Sequence, residues 1–368
     1  MSMFRRGLML AASQTKKNPI YGVKWVNDET TTMERTDDSA WLSYTKSYND
    51  GSILSDFNSV FPWNEAKKET LETGEFLHMP DMYFRIGVDE NGDINSVAVS
   101  NKSHEVGSWY KVDSFYYGLY GASENGDKLA SLSGKDRLAK TSRGDFRTKA
   151  KATGAGYFQL DLYHKTVMMF LWWIEWATKN SRYIMEGKLS TTGEVPCQTG
   201  GTDEVNTPSG FNTTTKQMRY HYIEDFVGNF FEWIDGVSGS TTPEANRANV
   251  WVSANPDNYV DINAPANYKQ LAYITDVKVT CITAFGWDSE NPFLCYFSKG
   301  ISLFNSAIKG FTNSGDAPGL MSPVVFSGSS YDALDNNYYG VCNYASTAAS
   351  ISLNNVGGRL LYKPQLIK

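Results

Sequence analysis

The sequence predicts an α+β fold: two helices packed on an irregular, mostly antiparallel sheet with long loops, preceded by a small β-rich N-terminal domain. Three observations carry that prediction. Up to about residue 100, short runs of alternating side chains are separated by turn signals, the mark of half-buried strands. Between about 143 and 177, two segments carry helical spacing, each with a capping residue before it. From residue 187 onward helix signals nearly vanish, and short apolar runs are set among Gly, Thr, Ser and Asn. The 368 residues, 41% of them hydrophobic, suffice for one large core or two modest ones. We divide the chain into a β-rich domain, residues 1–103, and a second domain, residues 104–368.

In chain order, "IYGVKWV" alternates apolar and polar side chains as a half-buried strand does. "NDG" at 49–51 and "DENGD" at 89–93 are turn signals. "YFRIGV" and "INSVAVS" flank the second turn and predict a hairpin. The first helix is expected over about 143–152, with Ser142 as N-cap, Asp145 near the positive end of the dipole and Gly154 as the stop. This gives "RGD" at 143–145 a local role in starting a helix, in place of an adhesion tripeptide. Asp161 caps the second helix, in which Leu162, Val167, Phe170, Leu171, Ile174 and Ala177 include i, i+3, i+4 and i+7 relations. That segment is apolar nearly all round, so both its faces are expected to be covered. Beyond it, "RYHYIEDFVGNFFEWIDGV", "ANVWVSA", "QLAYITDVKVTCITAF" and "GRLLYKP" read as strands of an irregular sheet. Loops as long as those between them need a function or an anchor.

Composition narrows the function. Aromatic residues make up 14%, with 22 Tyr and 10 Trp, which suits β-rich surfaces and binding faces. A net charge of −6 without any long basic block gives nucleic-acid binding no support. No stretch approaches the ~20 apolar residues of a membrane span; the longest, "VMMFLWWIEWA", is interrupted by Glu175. The apolar run behind Arg5 and Arg6 is shorter than the about 7–15 residues of a secretory leader. Of the cysteines, Cys197, Cys281, Cys295 and Cys342, none forms a CxxC pair or has a His at ligand spacing, so a zinc site is not expected. Cys281 and Cys295 read as buried strand thiols.

"GNFFEWIDG", Gly228 to Gly236, reads locally as a turn and a core strand. It resembles the "GN-x-x-EW" signature of the formylglycine-generating-enzyme type of C-type lectin fold. The two helices ahead of it and a terminal "GGRLLY", similar to that family's closing "GFR" strand, fall in the same order over roughly residues 104–368. The resemblance implies a C-type lectin fold for that region. Formylglycine-forming members carry two catalytic cysteines near the C-terminus. Here Cys342 has no second thiol within ten residues, so neither a two-thiol copper site nor thiol redox chemistry can be built from it. Iron oxygenases on the fold need a His cluster, whereas His78, His104, His164 and His221 are scattered. No enzymatic activity is therefore expected, and a formylglycine-generating type of enzyme is the runner-up. Calcium-reading lectins use EPN- or QPD-like and WND-like triplets. "NPD" (Asn255, Pro256, Asp257) matches in part, and "WVND" occurs only at 25–28. No cofactor is expected; the alternative is a calcium-dependent lectin, its ion held by Asp225, Asp257 and Asp261.

A longer resemblance covers the front. "NPIYGVKWVNDETTTMERTDDSAWL" resembles the "GV-x-W... R-x-x-DA" opening of bacteriophage tail-fibre proteins, with Ser39 where that family often has Ala. "FPWNEAKK", "HMPDMYFRI" and the block from "SLSGKDRLAK" to "TKNSR" are similar to later passages of the same proteins. This resemblance implies a virion protein of a phage tail, or alternatively of a bacterial cell surface. Its N-terminal domain would serve attachment or oligomerisation, most plausibly as a trimer beside other tail proteins. Its partner would be a bacterial surface receptor, protein or glycan, with no nucleic-acid or membrane partner. C-type lectin domains of the phage type include variable proteins of diversity-generating retroelements, in which Asn codons near the 3′ end become Ser, Tyr, Asp, Thr, Ala or Gly codons. The segment from Tyr331 to Asn355 has that composition, and a polar loop of an ordinary lectin fold has it equally. In either case the expected ligand-binding face is Tyr331, Asp332, Asn336, Asn337, Tyr338, Tyr339, Asn343, Tyr344, Ser346, Ser350, Ser352 and Asn354. Tyr gives contact area at low entropic cost, and Asn and Ser give adaptable hydrogen bonds. Gly340, Val341, Cys342 and residues 357–361 are expected to be framework.

Overall fold

The computed structural model describes residues 18–26, 32–178, 184–185, 197–213, 217–229, 231–242, 247–262, 265–274, 281–301, 323–327, 343–348, 352, 354 and 356–364. These form mostly antiparallel sheets with two α-helices, α1 (Arg143–Thr153) and α2 (Leu162–Trp176).

The first sheet runs in the order Met33–Asp37, Ile20–Trp25, Ile94–Ser100, Met82–Val88, Trp109–Val112. Its centre is the predicted hairpin, with Tyr83 opposite Ser100 and Val88 opposite Ile94. The turn is closed by Asp89, whose Oδ1 accepts from the backbone N–H of Asn91 at 2.8 Å and of Asp93 at 3.0 Å. That is the local Asp chemistry that makes "DENGD" a turn. Tyr21, Val23 and Trp25 point into the core while Lys24 stays exposed, as the alternation required. The two parts of the opening motif meet here. Gly22 pairs with Thr36, and the buried Ser39 accepts from Gly22 N–H at 3.1 Å and donates to the Gly22 carbonyl.

The second sheet places the closing strand, Leu360–Tyr362, between Tyr157–Gln159 and Phe115–Gly118, followed by Gly74–Met79 and Lys67–Leu71. Its two faces are covered by different helices. Phe158, Tyr117, Leu77 and Leu361 join the large core with α2, whereas Phe76 and Leu360 join a smaller one with Phe146 and Ala150 of α1. Gly358 lies so close beneath Phe146 that a Cβ there would come within 2.6 Å of the ring. That approach accounts for the second glycine of the pair ahead of the closing strand.

Helix α1 begins as expected, Ser142 Oγ accepting from Asp145 N–H at 3.1 Å. Helix α2 starts at Asp161, whose Oδ1 accepts from His164 N–H at 2.8 Å. Every residue of α2 except Tyr163 is buried. A helix that is apolar all round is stable only when covered on all sides, and here the sheets supply the cover.

Sheets and core cross the expected boundary at 103/104. Gly74–Met79 pairs with Phe115–Gly118, and Ser52–Ser55 pairs with Ser209–Phe211. The large core runs from Tyr21 to Leu361. "RYHYIEDFVGNFFEWIDGV", read as a strand-like run, is divided into Met218–Tyr220, Ile223–Glu224 and Phe231–Ile234. The breaks fall where His221, Tyr222, Asp225, Gly228 and Asn229 take positive φ. Cys281 opens the strand Cys281–Gly286, while Cys295 is buried in the turn just before Tyr296–Ile301 rather than within a strand.

Candidate functional site

The expected binding segment hangs from one strand. Phe231–Ile234, the strand of "GNFFEWIDG", pairs antiparallel with Pro323–Ser327 on one side and parallel with Val356–Gly357 on the other. Pro323–Ser327 in turn carries Asn343–Ala348, the outermost strand of this sheet among the described residues. The chain therefore leaves that strand near residue 327 and returns to it at Val356. Of the expected binding residues, Asn343, Tyr344 and Ser346 lie on the outermost strand. Ser352 is exposed and Asn354 half-buried. Tyr331, Asp332, Asn336, Asn337, Tyr338, Tyr339 and Ser350 lie outside the described residues, as do the framework positions Gly340, Val341 and Cys342.

The expected framework at 357–361 is anchored by a buried cation. Arg359 is fully buried; its Nε donates to Glu232 Oε1 at 2.6 Å, its Nη1 to the carbonyls of Gly118 and Leu119 at 3.0 Å each, and its Nη2 to that of Glu224 at 2.8 Å. Thus "GNFFEW" and "GGR" belong to one unit, joined by the Glu232–Arg359 pair. Asn229 of the same motif donates to Asp225 at 2.7 Å, and Trp233 Nε1 donates to the Thr141 carbonyl at 2.8 Å. Asn229, Glu232 and Trp233 of the motif thus point into scaffold.

Two carboxylates deserve scrutiny as chemistry. Glu224 and Asp225 both accept from Arg137 Nη2, all three side chains being without solvent exposure. Burial, with the Asp225 charge next and Arg137 opposing, pushes the Glu224 carboxyl up to about 7. Such perturbed groups attract a catalytic reading, but Glu224 is consumed internally, accepting from Gly200 N–H and Thr202 N–H at 3.0 Å each. With all three side chains buried, the group clamps residues 200–202 to Ile223–Glu224 and Asp225.

The alternatives raised by the sequence can be placed. Asp225 binds Arg137, Gln217 and Asn229. Asp261 binds Arg143 at 2.7 Å and Arg147 at 2.8 Å, and Asp257 is exposed. The expected calcium ligands are therefore not gathered, and among the described residues no three His, Cys, Asp or Glu side chains form a metal-holding group. The histidines sit apart, His164 on Asp161, His221 on Glu175, His78 on Glu69 and His104 on Ser100. Burial pushes the Cys295 thiol up, away from thiolate. Arg143 of "RGD" is fully buried, its guanidinium bound to Asp261 and to the carbonyls of Ile234, Val237 and Val260.

A second surface lay outside the sequence reading. In the second sheet, Tyr157 faces Tyr362, Tyr362 faces Tyr116, Tyr116 faces His78 and His78 faces Lys67, one residue from each of five adjacent strands. The rings touch in sequence: Tyr157–Tyr362 centroids are 4.5 Å apart, Tyr362–Tyr116 5.5 Å and Tyr116–His78 4.4 Å. All four are half-buried. At the Tyr157 end the row opens into a cleft of about 500 Å³ lined by Lys151, Gly156, Asn255, Pro256 and Asp257. The sequence singles out "NPD", His78 and the "GGRLLY" that ends in Tyr362, each for a different reason; the row is assembled by register from distant strands, and no local pattern announces it.

No family model and no curated protein matches this chain. No helix among the described residues is long and apolar enough to cross a membrane.

Proposed function

We propose that this chain is a receptor-binding protein of a bacteriophage tail. Its latter part is read as a C-type lectin fold that displays the segment between Pro323–Ser327 and Val356–Gly357 to a bacterial surface ligand, protein or glycan. The observation that carries this reading is the double anchorage of the segment. Both its ends are seated on one strand, Phe231–Ile234, and the buried Glu232–Arg359 pair ties that strand to the closing strand. Anchorage at both ends is what a segment with variable side chains would need. Recognition is non-covalent, by Tyr contact and Asn or Ser hydrogen bonds, and requires no metal and no reaction. The chain assembles as a trimer on a virion.

The test uses fluorescently labelled full-length protein and a panel of bacterial strains. At least one strain binds it, and Tyr344→Ala and Asn343→Ala each lower binding about tenfold or more, with an unchanged melting temperature. Failure to bind any strain, or variants that bind like the parent, would sink the reading. Light scattering of the purified protein reports the trimer directly; a monomer at micromolar concentration removes that part.

A further inference from the structure

We propose that the aromatic row and the cleft at its end form a second binding surface, taking one extended carbohydrate chain along the row with a terminal or branching sugar in the cleft. This does not rest on the C-terminal segment being a binding face.

The geometry selects a linear ligand. Five strands spaced ~4.8 Å apart make the row ~19 Å long, and it is one side chain wide. That is far less than the roughly 800 Å² per partner of a stable protein interface. The row crosses the strands at right angles, from one edge of the sheet to the other. Tyr362, Tyr116 and His78 stand on interior strands paired on both sides, whereas Tyr157 and Lys67 stand on the two edge strands. A peptide adding as a further strand needs a free sheet edge, and along most of the row none is offered. Single-stranded nucleic acid also stacks on aromatic rows, but it needs a positively charged groove. Here the charge is mixed: Glu69, which accepts from the Tyr116 hydroxyl at 3.2 Å, and Asp257 in the cleft offset Lys67 and Lys151, on a chain of net charge −6.

A sugar chain meets the remaining requirements. It combines apolar C–H faces, which rings cover, with hydroxyls that need both donors and acceptors at fixed positions. Because Tyr116 stacks on His78 and Tyr157 on Tyr362, the row supplies a run of ring edges and hydroxyls rather than open faces, and the cleft supplies further polar groups. Asn255 Oδ1 accepts from Asp257 N–H at 3.0 Å, which orients the short 3₁₀ turn Pro256–Asn258. The Lys151 ammonium and the Asp257 carboxylate face the same cleft and are exposed, with no side-chain ion pair or hydrogen bond to any described residue. A volume near 500 Å³ lies within the roughly 300–1,000 Å³ range of small-ligand sites. Tyr157 belongs to both the cleft and the row, so a ligand bound in one continues into the other.

The experiment is a printed array of bacterial polysaccharides and their oligosaccharide fragments, probed with the full-length protein, with oligo(dT) and an unstructured peptide as controls. The parent protein retains at least one glycan. Asp257→Ala and Lys151→Ala, both at exposed positions that leave the fold intact, weaken retention about tenfold, as does Tyr362→Phe/Tyr157→Ala in a variant that still melts cooperatively. Trp41→Ala, at an exposed position outside the row, the cleft and the C-terminal segment, leaves it unchanged. Retention of no glycan overturns the inference. So does a retained glycan whose binding is lost in Tyr344→Ala but kept in Asp257→Ala, an outcome that would instead support the C-terminal face. Preferential retention of oligo(dT) or peptide overturns it as well.

Discussion

Arg359 concentrates four hydrogen bonds, one of them an ion pair with Glu232, in a site with no solvent exposure. Removing one member of such a pair leaves the other charge buried alone, which costs about 3–5 kcal/mol. Arg359→Ala should therefore lower chemical-denaturation stability by about that much, and Arg359→Ala/Glu232→Ala should cost less than the two single changes added together. Additive losses would show that the pair is not a unit. Glu224 makes a pH prediction. Its carboxyl titrates at about 7 in the folded chain against an ordinary value of 4.5. Between those values the folded state holds a proton that the unfolded state has lost, so stability falls as pH rises from about 4.5 to about 7. Melting temperature should fall over that window, and Glu224→Gln should flatten the slope; an unchanged slope in the variant would refute the assignment. The sequence revealed Glu232 and Arg359 as parts of two motifs, but it could not show that they meet, because their contact spans 127 positions. It concealed the clamp of Arg137, Glu224 and Asp225 altogether, since ordinary polar residues in turns look the same until burial removes their water.

Elements with local causes were the most legible. Helices α1 and α2 are set by capping side chains and helical spacing within a few residues, and both start at the caps read from the sequence. Ser142→Ala removes the acceptor for Asp145 N–H and should cost about 1 kcal/mol. Trp172→Ala, in the middle of the fully covered α2, should cost about 3–5 kcal/mol through lost contact and an unfilled cavity. Thermal melts rank the two; a Ser142→Ala loss equal to that of Trp172→Ala would contradict the packing described. Strands after residue 187 were harder to read because left-handed residues interrupt the apolar runs. His221, Tyr222, Asp225 and Asn229 all have positive φ, and for residues other than glycine the neighbouring structure must hold that conformation. Of the candidate binding face, composition marked the segment, and pairing on Pro323–Ser327 put Asn343, Tyr344 and Ser346 on its outermost strand. The aromatic row was illegible for the opposite reason: each of its residues is unremarkable in its own strand.

Across the whole molecule, residues before and after 103 share sheets and one large core. A division drawn from local pattern misses this, because strand pairing at long range leaves no trace in neighbouring residues. The fragments 1–103 and 104–368 expressed separately should each lack a cooperative thermal transition, while the full chain melts in one. A fragment that melts sharply alone would show an independent domain.

The closing strand has a consequence for how the protein is made. Leu360–Tyr362 is an interior strand of its sheet, and Arg359 bonds a carbonyl 241 positions earlier in the chain. During translation, the strands Phe115–Gly118 and Tyr157–Gln159 therefore wait with an open seam until Leu360–Tyr362 has been made. A stop codon or frameshift anywhere between residues 328 and 356 withholds the strand that fills that seam, and the product is left to proteolysis. Closure of this sheet therefore depends on the reading frame being kept through residues 328–356.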